Sequence, residues 1–183
     1  MVEFFTDQRM YGATMKQLDK MTASFHAMQY CFDHTDFCVK LIQKLGQGVV
    51  VKIIADQGQV RGPSCVRQPQ RLMELINAGA EVKCYRPKGS GGWPILHTKS
   101  VVLDEYVLIS GSVNLTNAGY QTNKEHMYVI RCPQVVTDVM GDFWNVWDKA
   151  TVVTVEELEK VAEDLRNGKR NRSTSKTRPA AVE

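Results

Sequence analysis

Apolar residues along the chain fall into short unbroken runs, separated by segments in which apolar side chains recur every three or four positions. The short runs are rich in Val, Ile and aromatic residues, as in VVVKIIA at positions 49–55, and this composition is typical of buried strands. The predicted strands cover residues 25–32, 49–55, 82–85, 97–103, 106–110 and 125–131. The pattern therefore predicts both strands and helices within one chain.

The segments with helical spacing predict a helix after most of these strands. Between the first two strands an apolar stripe ends at Gly46 and Gly48, which stop a helix. Strand, helix and strand in this order form a right-handed unit with parallel strands, so we expect an α/β fold. Further helices are predicted near residues 11–21, 69–78, 133–147 and 154–167.

Composition and charge divide the chain into four parts. Apolar residues make up 43% and charged residues 23% of the 183 positions, as in ordinary globular domains. Residues 168–183 carry five basic residues and one acidic residue, and this net +4 leaves −1 for residues 1–167. The predicted parts are an N-terminal segment (1–20), a main domain (21–150), a charged helix (151–167) and a basic disordered tail (168–183).

Five cysteines bear on the compartment of the protein. Their number is odd and none forms a C-x-x-C pair, and the N-terminal sequence does not look like a secretory signal. We therefore expect reduced, mostly buried thiols at Cys31, Cys38, Cys65, Cys84 and Cys132. No apolar run is long enough to cross a bilayer, so the expected location is cytoplasmic, without a transmembrane segment.

The main chemical signal is a run of polar and glycine positions spaced as H-x-K-x4-D-x6-G-S-x-N. Its members are His97, Lys99, Asp104, Gly111, Ser112 and Asn114. His97 and Lys99 are alternate residues of an extended run, so they share a face and lie roughly 6–7 Å apart. One phosphate group fits between them. Asp104 and Glu105 break the apolar run and predict a tight turn between two strands of a hairpin.

Further polar residues lie on either side of this hairpin. Ser112 and Asn114 follow its second strand, and both can donate hydrogen bonds to phosphate oxygens. A structural histidine beside a solvated lysine is the alternative, but so many polar groups at neighbouring strand ends favour a phosphate site. The preceding loop holds Arg86, Lys88 and Trp93, which suit a phosphate together with an apolar or stacking group. A solvated glycine-rich loop is an equal alternative there.

The motif resembles the HKD signature of the phospholipase D superfamily, with every fixed position filled. Together with Asn123, Glu125 and the order of predicted elements, residues 20–150 resemble the branch whose members carry one such motif. That branch includes small bacterial endonucleases and the mitochondrial cardiolipin hydrolase or Zucchini-type group. The resemblance implies a mixed β-sheet flanked by helices on both faces. The mitochondrial members have an N-terminal membrane anchor that we do not find here, so a mitochondrial surface is expected only through a partner or a missing anchor.

The resemblance also implies phosphodiester cleavage in two steps, without a metal or another cofactor. His97 would attack phosphorus and form a phosphohistidine, with Glu125 orienting its imidazole and Asp104 supporting the hairpin and the local charge. Three residues would hold the phosphate oxygens: Lys99, Ser112 and Asn114. The implied catalytic set is His97, Lys99, Asp104 and Glu125. A second histidine must protonate the leaving oxygen, and since the chain has one motif, we expect a homodimer with a composite site.

The motif does not distinguish nucleic acid from phospholipid, because both substrates present the same phosphodiester. The basic tail and the arginines of the loops favour nucleic acid slightly, so an endonuclease is the first expectation. A phospholipase D-type hydrolase resembling cardiolipin hydrolase is the alternative. A non-catalytic phosphate-binding dimer is a second alternative, and the intact His97, Lys99 and Asp104 argue against it.

Overall fold

A mixed β-sheet forms the centre of the computed structural model, which describes residues 1–89 and 94–174, with side chains up to residue 168. Its strands are β1 (Val2–Thr6), β2 (Ser24–Gln29), β3 (Val50–Asp56), β4 (Glu81–Tyr85), β5 (Lys99–Leu103), β6 (Val107–Gly111), β7 (His126–Ile130) and β8 (Thr151–Val152). They lie in the order β1-β7-β6-β5-β2-β3-β4-β8. β2, β3 and β4 are parallel, whereas the other neighbouring pairs are antiparallel.

Helices pack on both faces of this sheet, as predicted. They are α1 (Gln8–Lys20), α2 (Thr35–Leu45), α3 (Gln57–Arg61), α4 (Gln68–Asn77), α5 (Asn117–Gln121), α6 (Pro133–Trp147) and α7 (Val155–Thr174). The larger core joins one sheet face to α1, α2, α4 and α7, for example through Leu41, Leu72 and Leu158. On the other face, α6 packs Met140 and Phe143 against β2, β3, β5 and β6. The predicted unit of strand, helix and strand is present as β2, α2 and β3.

Elements that the sequence did not predict depend on distant partners. β1 pairs with β7, and in this pairing Val2 lies opposite Ile130. Phe4 of β1 is 46% exposed. α3 and a 3₁₀ turn (Pro63–Cys65) occupy a segment predicted as a loop, and α5 follows the motif. α7 continues seven residues beyond the predicted end at 167. Lys and Arg in that stretch are good helix formers, so Gly168 does not end the helix. Residues 175–183 of the predicted tail lie outside the described residues.

The expectation of five reduced cysteines was wrong for two of them. Cys31 and Cys65 form a disulfide, with their Cα atoms 6.4 Å apart and a sequence separation of 34. Sequence spacing does not predict this pairing, because the fold alone brings the end of β2 next to the 3₁₀ turn. Cys38, Cys84 and Cys132 are free thiols, and burial raises the pKa of both Cys38 and Cys84 to about 12.

No helix in the described part of the chain combines the length and the apolar character that crossing a membrane requires.

Candidate active site

The β5–β6 hairpin carries most of the sequence motif, and the predicted hairpin is confirmed. Asp104 and Glu105 have φ values of 53° and 52°. Two successive positive φ values are typical of the type I′ turn, whose twist matches that of the strands it joins. The strand register leaves this turn at one end and brings His97, Ser112 and Asn114 to the other. That open end is the candidate site.

His97 lies exposed at the open end, against the ring of Tyr30. The two ring centroids are 4.7 Å apart, with an interplanar angle of 68°. Lys99 points toward the same place, because its Nζ donates a hydrogen bond to the carbonyl oxygen of His97 at 2.8 Å. The same Nζ lies 5.1 Å from the centroid of the Tyr30 ring. An imidazole and an ammonium group therefore flank one tyrosine.

The ammonium of Lys99 is partly removed from water. Burial lowers its pKa below the ordinary lysine value, while the negative charge of Glu125 acts in the opposite direction. Lys99 therefore loses its proton at a lower pH than a solvated lysine does. The Glu125 carboxylate is therefore close enough to act on the charge of Lys99.

Glu125 is held by its own neighbours. The Ser112 hydroxyl donates to one carboxylate oxygen, and Asn123 Nδ2 donates to the other at 3.4 Å. The Ser112 hydroxyl also accepts the backbone N–H of His126 at 3.0 Å, which ties the end of β6 to β7. Within the described residues, no hydrogen bond joins Glu125 to His97, so its orienting role stays a prediction. Nor do three His, Cys, Asp or Glu side chains in that part of the chain lie close enough to hold a metal ion.

Asn114 and Thr98 contribute polar atoms without partners among the described residues. The Asn114 Oδ1 and the Thr98 hydroxyl are buried, yet neither has a hydrogen bond. Buried polar groups are nearly always paired, so both are available to a ligand. Thr98 lies between His97 and Lys99 in sequence, and Asn114 follows β6. A ligand at the open end of the hairpin can thus meet an amide and a hydroxyl as well as a charge.

Asp104 lies away from this constellation. It lies five positions along the chain from Lys99, roughly 17 Å at the rise of an extended strand. Its carboxylate accepts the backbone N–H groups of Thr22, Ala23 and Ser24 at distances of 2.7–3.3 Å. These contacts join the hairpin turn to the start of β2. The structure therefore agrees with the predicted support of the hairpin and does not bring Asp104 to the predicted catalytic set.

The loop before His97 borders a cavity of about 360 Å³. Its lining includes Arg86, Gln59 and Ser64, together with Pro94 and Ile95, which precede His97 closely in sequence. Of the other two predicted loop residues, Lys88 is exposed to solvent, and Trp93 lies outside the described residues. The cavity thus adjoins the candidate site through Ile95.

Sequence reasoning missed three residues near His97, namely Tyr30, Asp56 and Gln59. Tyr30 contacts His97 and accepts a hydrogen bond from Gln59 Nε2 to its hydroxyl at 2.6 Å. The fully buried Asp56 accepts the N–H of Gln59 at 2.8 Å and that of Leu96 at 2.7 Å. The predicted parallel strands contained a signal, because Tyr30 and Asp56 lie where β2 and β3 end. Ligands in open α/β sheets bind at that edge.

The sequence of the chain matches a known protein family. The sequence model of the family described as "Cardiolipin synthase, PLD-like domain" matches residues 14–147, which is more than half of the chain. The chain belongs to the phospholipase D-like family. The hairpin site lies inside the matched region, and the mixed sheet flanked by helices is the fold that the resemblance implied.

Relatives in this family include proteins with lipid-related names. The chain is 25% identical over 129 residues to Phospholipase D of Rickettsia conorii, a match that covers 70% of this chain and 60% of that protein. It is 22% identical over 141 residues to the mitochondrial cardiolipin hydrolase of Danio rerio, covering 77% and 58%. Nuc, a phospholipase D family member from Salmonella typhimurium, has a similar structure, with a TM-score of 0.72 at 22% identity, covering 84% of this chain and 97% of Nuc. The chain thus spans about 60% of the curated relatives' length.

Proposed function

We propose that this chain is a phosphodiesterase that uses His97 as its nucleophile. The observation that carries the proposal is the meeting of His97, Lys99 and the Ser112–Glu125 pair at one open end of a hairpin, in a member of the phospholipase D-like family. In the first step an imidazole nitrogen of His97 bonds to phosphorus, and the bond from phosphorus to the leaving oxygen breaks. In the second step water displaces the imidazole and releases the phosphate monoester.

Each neighbouring group has a role that follows from its position. Lys99 supplies positive charge to the non-bridging oxygens, where negative charge grows in the transition state. The amide N–H of Asn114 donates to the same oxygens, while the Ser112 hydroxyl, whose proton goes to Glu125, holds that carboxylate beside them. Glu125, already fixed by Ser112, orients the imidazole of His97 once substrate is bound. Asp104 acts from a distance by holding the hairpin to β2.

The leaving oxygen needs a proton from a second acid, because His97 is then bonded to phosphorus. An exposed His97 at an open end is accessible to a second copy of the chain. We propose a homodimer in which His97 from each subunit faces one shared phosphate. One of the two imidazoles is neutral and acts as the nucleophile, and the other is protonated and acts as the acid. No metal is needed in this scheme, since the charge of Lys99 replaces that of a cation.

Nucleic acid is the proposed substrate. Five basic residues lie between positions 168 and 183, and Arg86 lines the cavity beside Ile95. Basic residues favour binding of a polyanion such as nucleic acid. The cavity of about 360 Å³ is large enough for a nucleoside next to the phosphate.

Phospholipid is the second candidate, and two observations favour it. The relatives from Rickettsia and Danio carry the names phospholipase D and mitochondrial cardiolipin hydrolase. Ile95, two residues before His97, is 44% exposed and could contact an acyl chain or a bilayer surface.

The deciding experiment compares substrates side by side in EDTA: bis(4-nitrophenyl) phosphate as a plain phosphodiester, single-stranded DNA, RNA and anionic phospholipid vesicles. We expect metal-independent turnover of the plain diester and of nucleic acid, none by His97→Asn, and a phosphoramidate adduct on His97 by mass spectrometry after alkaline quenching. Turnover of vesicles alone would select the phospholipid candidate. Activity lost in EDTA and restored by a divalent cation would exclude the metal-free mechanism. Tight binding of one of these substrates without turnover would instead support the non-catalytic phosphate-binding dimer.

The Cys31–Cys65 disulfide bears on the compartment. Disulfides persist in oxidising compartments and are rare in the cytoplasm. We therefore propose that the protein works in an oxidising compartment rather than in the expected cytoplasm. Thiol titration of the denatured protein, isolated from its source under acid quench, should count three free thiols and not five.

A further inference from the structure

We propose that Tyr30, locked by Gln59, is a positioning residue that fixes the imidazole of His97 and the ammonium of Lys99 relative to each other. The inference rests on the phosphodiesterase proposal for its kinetic consequences, and on geometry for the contact itself. The sequence motif includes neither Tyr30 nor Gln59, and both precede it by more than 35 residues.

One ring contacts both groups of the site. The Tyr30 and His97 rings meet edge to face at 4.7 Å between centroids, an arrangement that aromatic pairs prefer. Lys99 Nζ lies 5.1 Å from the same ring centroid, within the range of cation–π attraction. A shift of the ring would therefore move the imidazole and the ammonium together, and with them the gap that receives a phosphate.

The ring itself is held at its hydroxyl end. Tyr30 Oη accepts a hydrogen bond from Gln59 Nε2 at 2.6 Å, and Gln59 Oε1 accepts one from the Ser64 hydroxyl at 2.6 Å. The backbone N–H of Tyr30 donates to the carbonyl oxygen of Thr98 at 3.1 Å, between His97 and Lys99 in sequence. Tyr30 is thus fixed to the motif strand at its backbone and to α3 at its hydroxyl.

The disulfide closes this arrangement into a ring. Cys31 follows Tyr30, and Cys65 follows Ser64. The path from Tyr30 through Gln59, Ser64 and the Cys65–Cys31 bond therefore returns to Tyr30. We call these five residues the tyrosine clamp. Tyr30 is only partly buried and belongs to neither side of the described hydrophobic core, so packing alone does not account for its position.

The kinetic test separates the ring from its hydroxyl. With bis(4-nitrophenyl) phosphate, Tyr30→Leu should lower kcat about 10- to 100-fold with KM within about threefold, because a misplaced catalytic group costs rate at unchanged binding. Tyr30→Phe keeps the ring and should lose only about three- to tenfold. Tyr106→Leu is the matched control, since Tyr106 is 61% exposed at the other end of the hairpin and should leave kcat unchanged. Equal losses in KM and kcat, or full activity of Tyr30→Leu, would overturn the proposal.

A second pair of variants does not depend on Tyr30→Leu folding. Gln59→Leu removes the donor to the Tyr30 hydroxyl, so its loss in kcat should match that of Tyr30→Phe. The double variant should lose no more than either single variant, because both remove one interaction. Additive losses would mean that Gln59 and Tyr30 act separately and that the clamp does not exist.

An NMR readout tests the contact without any turnover. In protein labelled with ¹³C at histidine, the ring signal of His97 is the one that disappears in His97→Asn. Its ring-current displacement should persist in Tyr30→Phe and vanish in Tyr30→Leu. An unchanged signal in Tyr30→Leu would disprove the contact. A wild-type protein inactive on every phosphodiester would instead refute the proposed function, and the NMR comparison would still decide whether Tyr30 fixes His97.

Discussion

Lys99 is the residue whose contacts best connect structure with the proposed chemistry. Its Nζ is tied to the His97 carbonyl oxygen and lies over Tyr30, and burial lowers its pKa. A charge that is partly stripped of water interacts more strongly with a phosphate than a solvated one does. The cost is a small loss of stability, because the folded state disfavours the charged form of Lys99.

Replacing Lys99 should therefore separate activity from folding. We expect Lys99→Met to lower kcat by about 10²–10³, the scale of a lost oxyanion donor, at an unchanged or slightly higher melting temperature. Lys149→Met removes an exposed lysine two residues after the end of α6 and should change neither. If Lys99→Met unfolds, or retains activity within a few-fold, Lys99 has a structural role only.

The lowered pKa of Lys99 predicts the basic side of the pH–rate profile. Rate should fall as the ammonium loses its proton, and this fall should begin at a lower pH than an ordinary lysine would give. Lys99→Arg keeps its charge throughout that range, so any activity it retains should lack this basic limb. If the fall in rate at basic pH persists unchanged in Lys99→Arg, it reports the titration of a group other than Lys99.

Asp104 should affect stability in a pH-dependent way. Burial raises the pKa of its carboxyl, but the backbone N–H groups of residues 22–24 lower it more, and the net shift is downward. The stabilisation is therefore present above the unfolded pKa and is lost as the pH falls through the folded pKa. At pH 7 we expect Asp104→Asn to lower the free energy of unfolding by about 1–2 kcal/mol, a difference that disappears in strong acid.

Asn tolerates the positive φ of position 104, so this variant tests the charge without adding strain. Glu105→Gln alters the neighbouring residue of the same turn and should leave stability unchanged. Denaturant titrations at several pH values measure both. A difference between wild type and Asp104→Asn that stays constant into acid would show that the carboxylate charge does not stabilise the fold.

The sequence predicted which residues of the hairpin meet, but not all that surrounds them. His97, Lys99, Ser112 and Asn114 lie together because a hairpin with a short three-residue connection has a fixed register. Tyr30 lies more than 60 residues away from them in sequence. It reaches His97 through the antiparallel pairing of β2 with β5, and no local pattern reports such a pairing.

At the scale of elements, α3 and the 3₁₀ turn link the sheet to the site. Asp56 caps α3 through the N–H of Gln59 and also fixes Leu96, immediately before His97. The disulfide anchors the far end of this segment to β2. Sequence periodicity missed α3 because five residues are too few to show a helical pattern, whereas the longer α2, α4 and α6 were predicted. β1 was missed because an edge strand gains its stability from its partner.

Breaking the disulfide should destabilise the fold. We expect Cys65→Ser to lower the free energy of unfolding by about 2–4 kcal/mol, the usual range for a crosslink that restricts the unfolded chain. A reducing agent should give wild type the same denaturant midpoint as the variant. Cys132→Ser, which removes a free half-buried thiol, is the control and should keep the midpoint and the sensitivity to reductant. A wild-type midpoint that is indifferent to reduction would contradict this account.

At the scale of the whole molecule, one chain supplies half of the proposed site. His97 is exposed, and the chain holds one copy of the motif. In the proposed homodimer, two subunits related by a two-fold axis supply the nucleophile and the acid on opposite sides of one phosphate.

Mixed dimers test this arrangement quantitatively. Equal amounts of wild type and His97→Asn, unfolded and refolded together, should pair at random, so that roughly a quarter of the dimers hold two histidines. Activity should fall to about a quarter of the all-wild-type control, with subunit exchange verified by two different tags. A remaining half would mean that each chain works alone.

The Cys31–Cys65 bond also implies that folding comes first, oxidation second and full activity last. In a newly made chain Cys31 and Cys65 are still thiols, and they meet only after β2 and the 3₁₀ turn have come together. If the tyrosine clamp fixes His97, then the reduced chain cleaves phosphodiesters more slowly until it reaches an oxidant. Oxidation would then activate this enzyme by forming a bond, just as removal of a propeptide activates a protease precursor by cleaving one.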